Sequence, residues 1–142
     1  MIRDIHLKDK KQWEKLYKSY ADFYKVEMND KIIQTVWKWL HDKSHEVNGL
    51  VYEVDGNIVG LAHYRRMPSP LRGQDIGFLD DLFVDPEHRG QRIGEKLINK
   101  IKEISNSKGW KLVRWITRED NIRAKSLYDR VSEKTNWDVY EL

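Results

Sequence analysis

A chain of 142 residues is long enough for one compact α/β domain and too short for two. Charged residues make up 35% and hydrophobic residues 39%, and six Trp, seven Tyr and three Phe supply large buriable surface, which excludes an unfolded chain. The net charge of +3 permits an anionic ligand without requiring a nucleic acid, and the absence of cysteine excludes disulfides, thiolate zinc sites and a cysteine-borne acyl intermediate.

The alternating IRDIHL at the start predicts a strand. Asp9 is the expected cap of a helix running to about Phe23, with Trp13, Leu16, Tyr17 and Tyr20 at helical spacing. Asp30 is the expected cap of a second, with Ile33, Val36, Trp37 and Leu40 on one face. Trp37 and Trp39 are two positions apart, so only one of them can face the core. GLVYEV and IVGLAHYRR flank Asp55-Gly56-Asn57, a hairpin signal. MPSPLRGQ reads as a turn-rich loop and GFLDDLFVD as the next strand, stopped at Asp85-Pro86 because proline lacks the ladder donor.

From Gln91 the pattern turns helical: Ile93, Leu97, Ile98, Ile101 and Ile104 form one apolar stripe, closed by Gly109. WKLVRWIT reads as a strand, Asn121 to Val131 as a helix, and NWDVYEL as a closing strand. The order predicts a mixed sheet covered by helices, with strand, loop and helix in succession at its centre. No apolar run approaches the ~20 residues of a membrane span. MIRDIHLKDKKQW has no apolar leader segment, so the cytoplasm is the expected compartment.

The segment FLDDLFVDPEHRGQRIGEKLI carries the most chemistry. A buried strand feeds a loop with Arg89, Gly90, Arg92 and Gly94, and the loop opens into a helix. Amides at a helix start have no internal partners, and the macrodipole places partial positive charge there. Glycines let a ligand approach the backbone, and arginines add charge, so the assembly suits a pyrophosphate. The spacing is neither that of a P-loop nor that of a dinucleotide fold. No cluster has metal-ligand spacing. His63 and His88 read as structural or solvated, and the lysines from Lys96 to Lys108 as a solvated helix face.

Arg89-Gly90-Gln91-Arg92-Ile93-Gly94 resembles the Q/R-x-x-G-x-G/A motif of the GNAT acetyltransferases, with Arg92 in place of the first motif glycine. Asn121-x-x-Ala124-x-x-x-Tyr128 is similar to the later N-x-x-A-x-x-x-Y element of the same family. The resemblance covers nearly the whole chain, and LYDRVSEKTNW is similar to a subgroup that includes yeast histone and polyamine acetyltransferases and bacterial relatives. It implies one GNAT N-acetyltransferase domain over residues 1–142, with a mixed, mostly antiparallel sheet flanked by helices.

The resemblance further implies that acetyl-CoA lies between the strand ending at Val84 and the strand beginning near Trp110. Backbone groups of Leu82, Phe83 and Val84 would hold the pantetheine and polarise the thioester. The amides of Gly90, Gln91, Arg92, Ile93, Gly94 and Glu95, beside Arg89, would hold the pyrophosphate. Asn121, with Ala124, would hold the CoA arm, and Tyr128 would be the general acid. Asp80 is the expected base or substrate-binding group. Asp80 and Asp81 are adjacent in a strand, so they are expected on opposite faces, only one reaching the cleft.

The expected reaction is direct transfer in a ternary complex to a primary amine of a polyamine, a lysine side chain, a peptide or another small molecule. Subgroup members often dimerise, so a homodimer built on the C-terminal segment is expected. The alternatives are a non-catalytic module that senses acyl-CoA and, from a third class, a basic nucleic-acid-binding protein.

Overall fold

The computed structural model describes residues 1–142. Strand β1 spans Ile2–Asp4, helix α1 Lys10–Tyr24 and helix α2 Asp30–His41. Strands β2 (Val47–Val54), β3 (Asn57–Ser69) and β4 (Gln74–Val84) follow as two hairpins. Helix α3 (Ile93–Lys108), strand β5 (Val113–Arg114) and helix α4 (Ile122–Val131) complete the order. The five strands lie in one sheet in sequence order; all neighbours are antiparallel except β4 and β5.

Local chemistry explains most of these boundaries. Asp55 and Gly56 take φ of 49° and 79° and form a two-residue turn between Val54 and Asn57, the left-handed pair that matches strand twist. The predicted loop MPSPLRGQ is shorter than expected. β3 runs through Pro68 to Ser69, and only the residues up to Gly73 (φ 61°) turn. Pro68 is tolerated because β2 ends opposite Arg65, leaving that edge of β3 without a neighbour to bond. Asn29, one residue before the expected Asp30, caps α2 by accepting from the Ile32 amide at 2.9 Å.

Asp9 precedes α1 but does not cap it. Its buried carboxylate takes both terminal nitrogens of Arg3, at 2.7 and 3.0 Å, and the His6 amide. Arg3 accordingly holds its pKa below the usual carboxylate range.

Each face of the sheet carries its own core. Trp13, Leu16 and Tyr17 of α1 and Ile33 of α2 pack on Val51, Leu61 and Phe83. Ile93, Leu97 and Ile101 of α3 pack on Val59, Ala62 and Leu79 of the other face, with α4 added through Leu127 and Tyr128. Trp37 turns inward onto Trp13, ring centroids 5.0 Å apart, whereas Trp39 stays 39% exposed against His45.

Two expected strands fall short. WKLVRWIT contributes only Val113 and Arg114 to the sheet, opposite Gly77 and Phe78. NWDVYEL forms no strand; Trp137, Val139 and Tyr140 are exposed. An alternating segment becomes a strand only where another strand offers its edge, and none within the chain reaches it.

Candidate active site

The short pairing of β5 creates the site. A β-carbon at Gly77 would lie 2.8 Å from Trp110 Cε3, so glycine lets the approach to β5 pass close to β4. Beyond Phe78 the two strands part, and the edge of β4 from Leu82 to Val84 faces a cavity of about 260 Å³. Val84 is followed by Asp85, whose carboxylate accepts from the Glu87 amide and caps the single turn Pro86–His88.

The loop then enters α3. Gly90 has φ 89° and Arg92 φ 61°, so the chain turns twice through left-handed backbone before the helix. The first helical bond runs from the Lys96 amide to the Arg92 carbonyl at 3.0 Å. No amide from Gly90 to Glu95 donates to an acceptor in the protein. These amides, the helix dipole and the arginines beside them form a concave surface suited to an anion. Burial and the nearby Arg123 hold the Arg89 pKa below its usual value, and its guanidinium lies over the rings of Phe23 and Phe83, 5.0 and 5.7 Å from their centroids. Glu95 is spoken for by Arg130 at 2.9 Å.

Helix α4 closes the opposite wall. Asn121 Oδ1 accepts from the Ala124 amide at 3.3 Å and caps the helix, which points Ala124 and Tyr128 into the cavity. A β-carbon on Gly94 would meet Leu127 at 3.4 Å, ordinary contact, so α3 and α4 pack closely without requiring glycine there. The Tyr128 ring packs edge-on to Trp115 at 5.4 Å, and its hydroxyl has no hydrogen-bond partner in the chain. Burial, reinforced by the neighbouring Tyr24, pushes its pKa up to about 12.

Of the residues expected to contact the nucleotide, all line this cavity except Gln91, which is exposed outside it. Tyr24 lines it too and escaped the sequence reading. Its hydroxyl accepts from Asn121 Nδ2 at 2.7 Å, and its carbonyl accepts from Arg118 at 3.1 Å, so the end of α1 is tied to the start of α4. The available signal was its spacing: Tyr17, Tyr20 and Tyr24 form one helical stripe, with successive ring centroids 5.8 and 4.9 Å apart.

The two aspartates depart from expectation. His63 pairs with Asp81 and Tyr64 with Leu79, so Asp80 is the extra residue of a β-bulge. The bulge brings both carboxylates to the α1 side instead of opposite faces. Asp81 meets His63 Nδ1 at 2.8 Å and Tyr17 OH at 3.1 Å, while Asp80 meets Arg65, two residues beyond His63 on β3. His63 is 1% exposed, and its Nε2 accepts from Trp13 Nε1 at 3.0 Å; indole only donates, so the histidine proton sits on Nδ1 and is given to Asp81. Burial alone would raise the Asp81 carboxyl, but the donors His63 and Tyr17 outweigh it and hold the group below the usual range. Burial, aided by the Asp81 charge, pushes Asp80 up against the pull of Arg65. Asp80 lies outside the residues that line the cavity.

A mixed sheet that opens between parallel strands, with free amides at the helix start beside the opening, has the geometry to receive an anionic ligand. Residues 13–132 match the Acetyltransferase (GNAT) family, and the chain belongs to it. It is an N-acetyltransferase, as are the relatives it resembles. It is 29% identical to D-amino-acid N-acetyltransferase HPA3 of Saccharomyces cerevisiae over 99% of this chain and 89% of that protein. It is 39% identical to thialysine N-epsilon-acetyltransferase of Bos taurus over half of this chain and 41% of that protein. Its fold superposes on ribosomal-protein-alanine N-acetyltransferase from Brucella melitensis with a TM-score of 0.84 and 25% identity, covering 100% of this chain and 98% of that one.

Proposed function

We propose that the chain moves an acetyl group from acetyl-CoA to the primary amine of a small molecule or peptide, with both substrates bound together. The observation that carries this reading is the run of amides from Gly90 to Glu95 without internal acceptors, beside the open edge of β4. Those amides and Arg89 suit the pyrophosphate, and Leu82, Phe83 and Val84 offer backbone groups to the pantetheine and the thioester carbonyl. Asn121 keeps one amide hydrogen for the CoA arm after serving Tyr24.

An alkyl amine has a pKa near ~10.4 and reaches the site protonated. Asp80 takes that proton, directly or through a water. Its raised pKa brings it nearer to neutrality than an ordinary carboxylate, while Asp81, locked by its donors, stays ionised. The Tyr128 hydroxyl faces the departing sulfur. Without a cysteine, transfer goes straight to the amine. The yeast relative acts on D-amino acids, which brings small amines bearing a carboxylate within the acceptor range.

The reading is tested by measuring CoA thiol released from acetyl-CoA across a panel of primary amines. Amine-dependent release is expected; CoA binding without release would overturn it. The exposed C-terminal segment and the free outer edge of β5 also support a homodimer. Light scattering should then give twice the 17.1 kDa of one chain, and a monomer at all concentrations would refute it.

A further inference from the structure

The bulge presents charge of both signs. Arg65 Nε donates to both oxygens of Asp80, at 3.2 and 3.0 Å, and the two side chains remain 32% and 30% exposed. The terminal nitrogens of Arg65, Nη1 and Nη2, hydrogen-bond to nothing in the protein. Its guanidinium lies over the Phe78 ring, 4.8 Å from the centroid, which holds the plane of the fork. Of the other arginines of the sheet, Arg3 gives its terminal nitrogens to Asp9 and Glu53, and Arg66 turns its own to Asp75 and Glu46; Arg114 of β5 also keeps its fork free but pairs with no carboxylate.

A guanidinium engaged only through Nε still offers the Nη1–Nη2 edge, two parallel donors spaced for a carboxylate. Asp80 keeps lone pairs on both oxygens for a second donor. A ligand that answers both groups carries an anion and an ammonium a few ångströms apart. An α-amino acid has them on one carbon. A polyamine brings only cations, which Arg65 repels, and a lysine side chain within a protein has no carboxylate beside its amine.

We infer that the acceptor is a free α-amino acid, its carboxylate gripped by the Nη edge of Arg65 and its α-amine held on Asp80. The inference rests on the acetyl-transfer reading above. In the reaction the amine nitrogen forms a bond to the thioester carbonyl carbon and the carbon–sulfur bond breaks. Of the two protons the ammonium loses, one leaves to solvent through Asp80 and one ends on the CoA sulfur. The products are an N-acetyl amino acid and CoA thiol.

The test compares kcat/KM for matched sets: both enantiomers of alanine, leucine, phenylalanine and lysine, their carboxamides, and the amines lacking the carboxylate. At least one acid is expected to exceed its amide and its amine by about 10- to 100-fold, the range for a hydrogen-bonded charge. Arg65→Gln should shrink that ratio by a similar factor, mainly through KM for the acid, and Arg65→Lys should restore part of it. Circular dichroism checks that both variants fold. Equal use of acids, amides and amines, or an Arg65→Gln loss shared equally by all three, overturns the inference. Turnover confined to polyamines overturns it while leaving acetyl transfer intact; no thiol release with any amine removes both.

Discussion

Replacing Tyr128 by Phe isolates the hydroxyl proposed to face the sulfur. The ring keeps its packing against Trp115, and the hydroxyl has no partner to abandon, so stability should change by less than about 0.5 kcal/mol. The chemical effect is bounded by the pKa. A phenol pushed up to about 12 facing a thiolate whose conjugate acid titrates near ~8.5 makes complete proton transfer uphill by roughly 5 kcal/mol. On the proposed assignment Tyr128 would act by donating a hydrogen bond to the developing thiolate, worth about 1.5–3 kcal/mol, and Tyr128→Phe should lower kcat by about 10- to 100-fold. The assay is thiol release at saturating substrates from pH 7 to 10. The wild type should keep this advantage across the range, because the phenol stays protonated throughout. An unchanged kcat in the variant would refute the assignment, as would a wild-type rate lost with a pKa well below 12.

Arg65 stabilises the ionised form of Asp80, so Arg65→Gln should move the acid limb of the pH–rate profile to higher pH; a limb that stays in place would remove Asp80 as the base. Arg92 holds left-handed backbone at φ 61°, so Arg92→Gly should stabilise the protein by about 0.5–1 kcal/mol in urea melts while weakening CoA binding through the lost charge. Gly77→Ala should cost about 1–3 kcal/mol in the same assay, since the added carbon meets Trp110 at 2.8 Å and Val113 at 3.2 Å at the only two rungs that join β5 to β4.

The cavity half of the proposed site was legible because it is local in sequence. A strand, two turning residues and a helix start place free amides together within Val84 to Glu95, and spacing alone reports them. Asn121, Ala124 and Tyr128 share one face of a short helix, which spacing also reports. The proposed acceptor half joins β3, β4 and α1, and local pattern misjudged how its side chains are placed. Strict alternation set Asp80 and Asp81 on opposite faces; the bulge put both beside His63 and Arg65. Tyr24 gave only a helical stripe, and its role appears when Asn121, far along the chain, bonds to its hydroxyl. NWDVYEL alternates like a strand but finds no edge to pair with.

By itself the sequence determined the four helices, the hairpin at Asp55-Gly56 and the glycine-bearing turn into α3, because each depends on residues within a few positions of one another. Tertiary structure alone decided where β5 leaves β4, which face the aspartates share and that Arg65 meets Asp80 through Nε alone. Those outcomes depend on register and on contacts between residues distant in the chain, which a one-dimensional pattern does not encode.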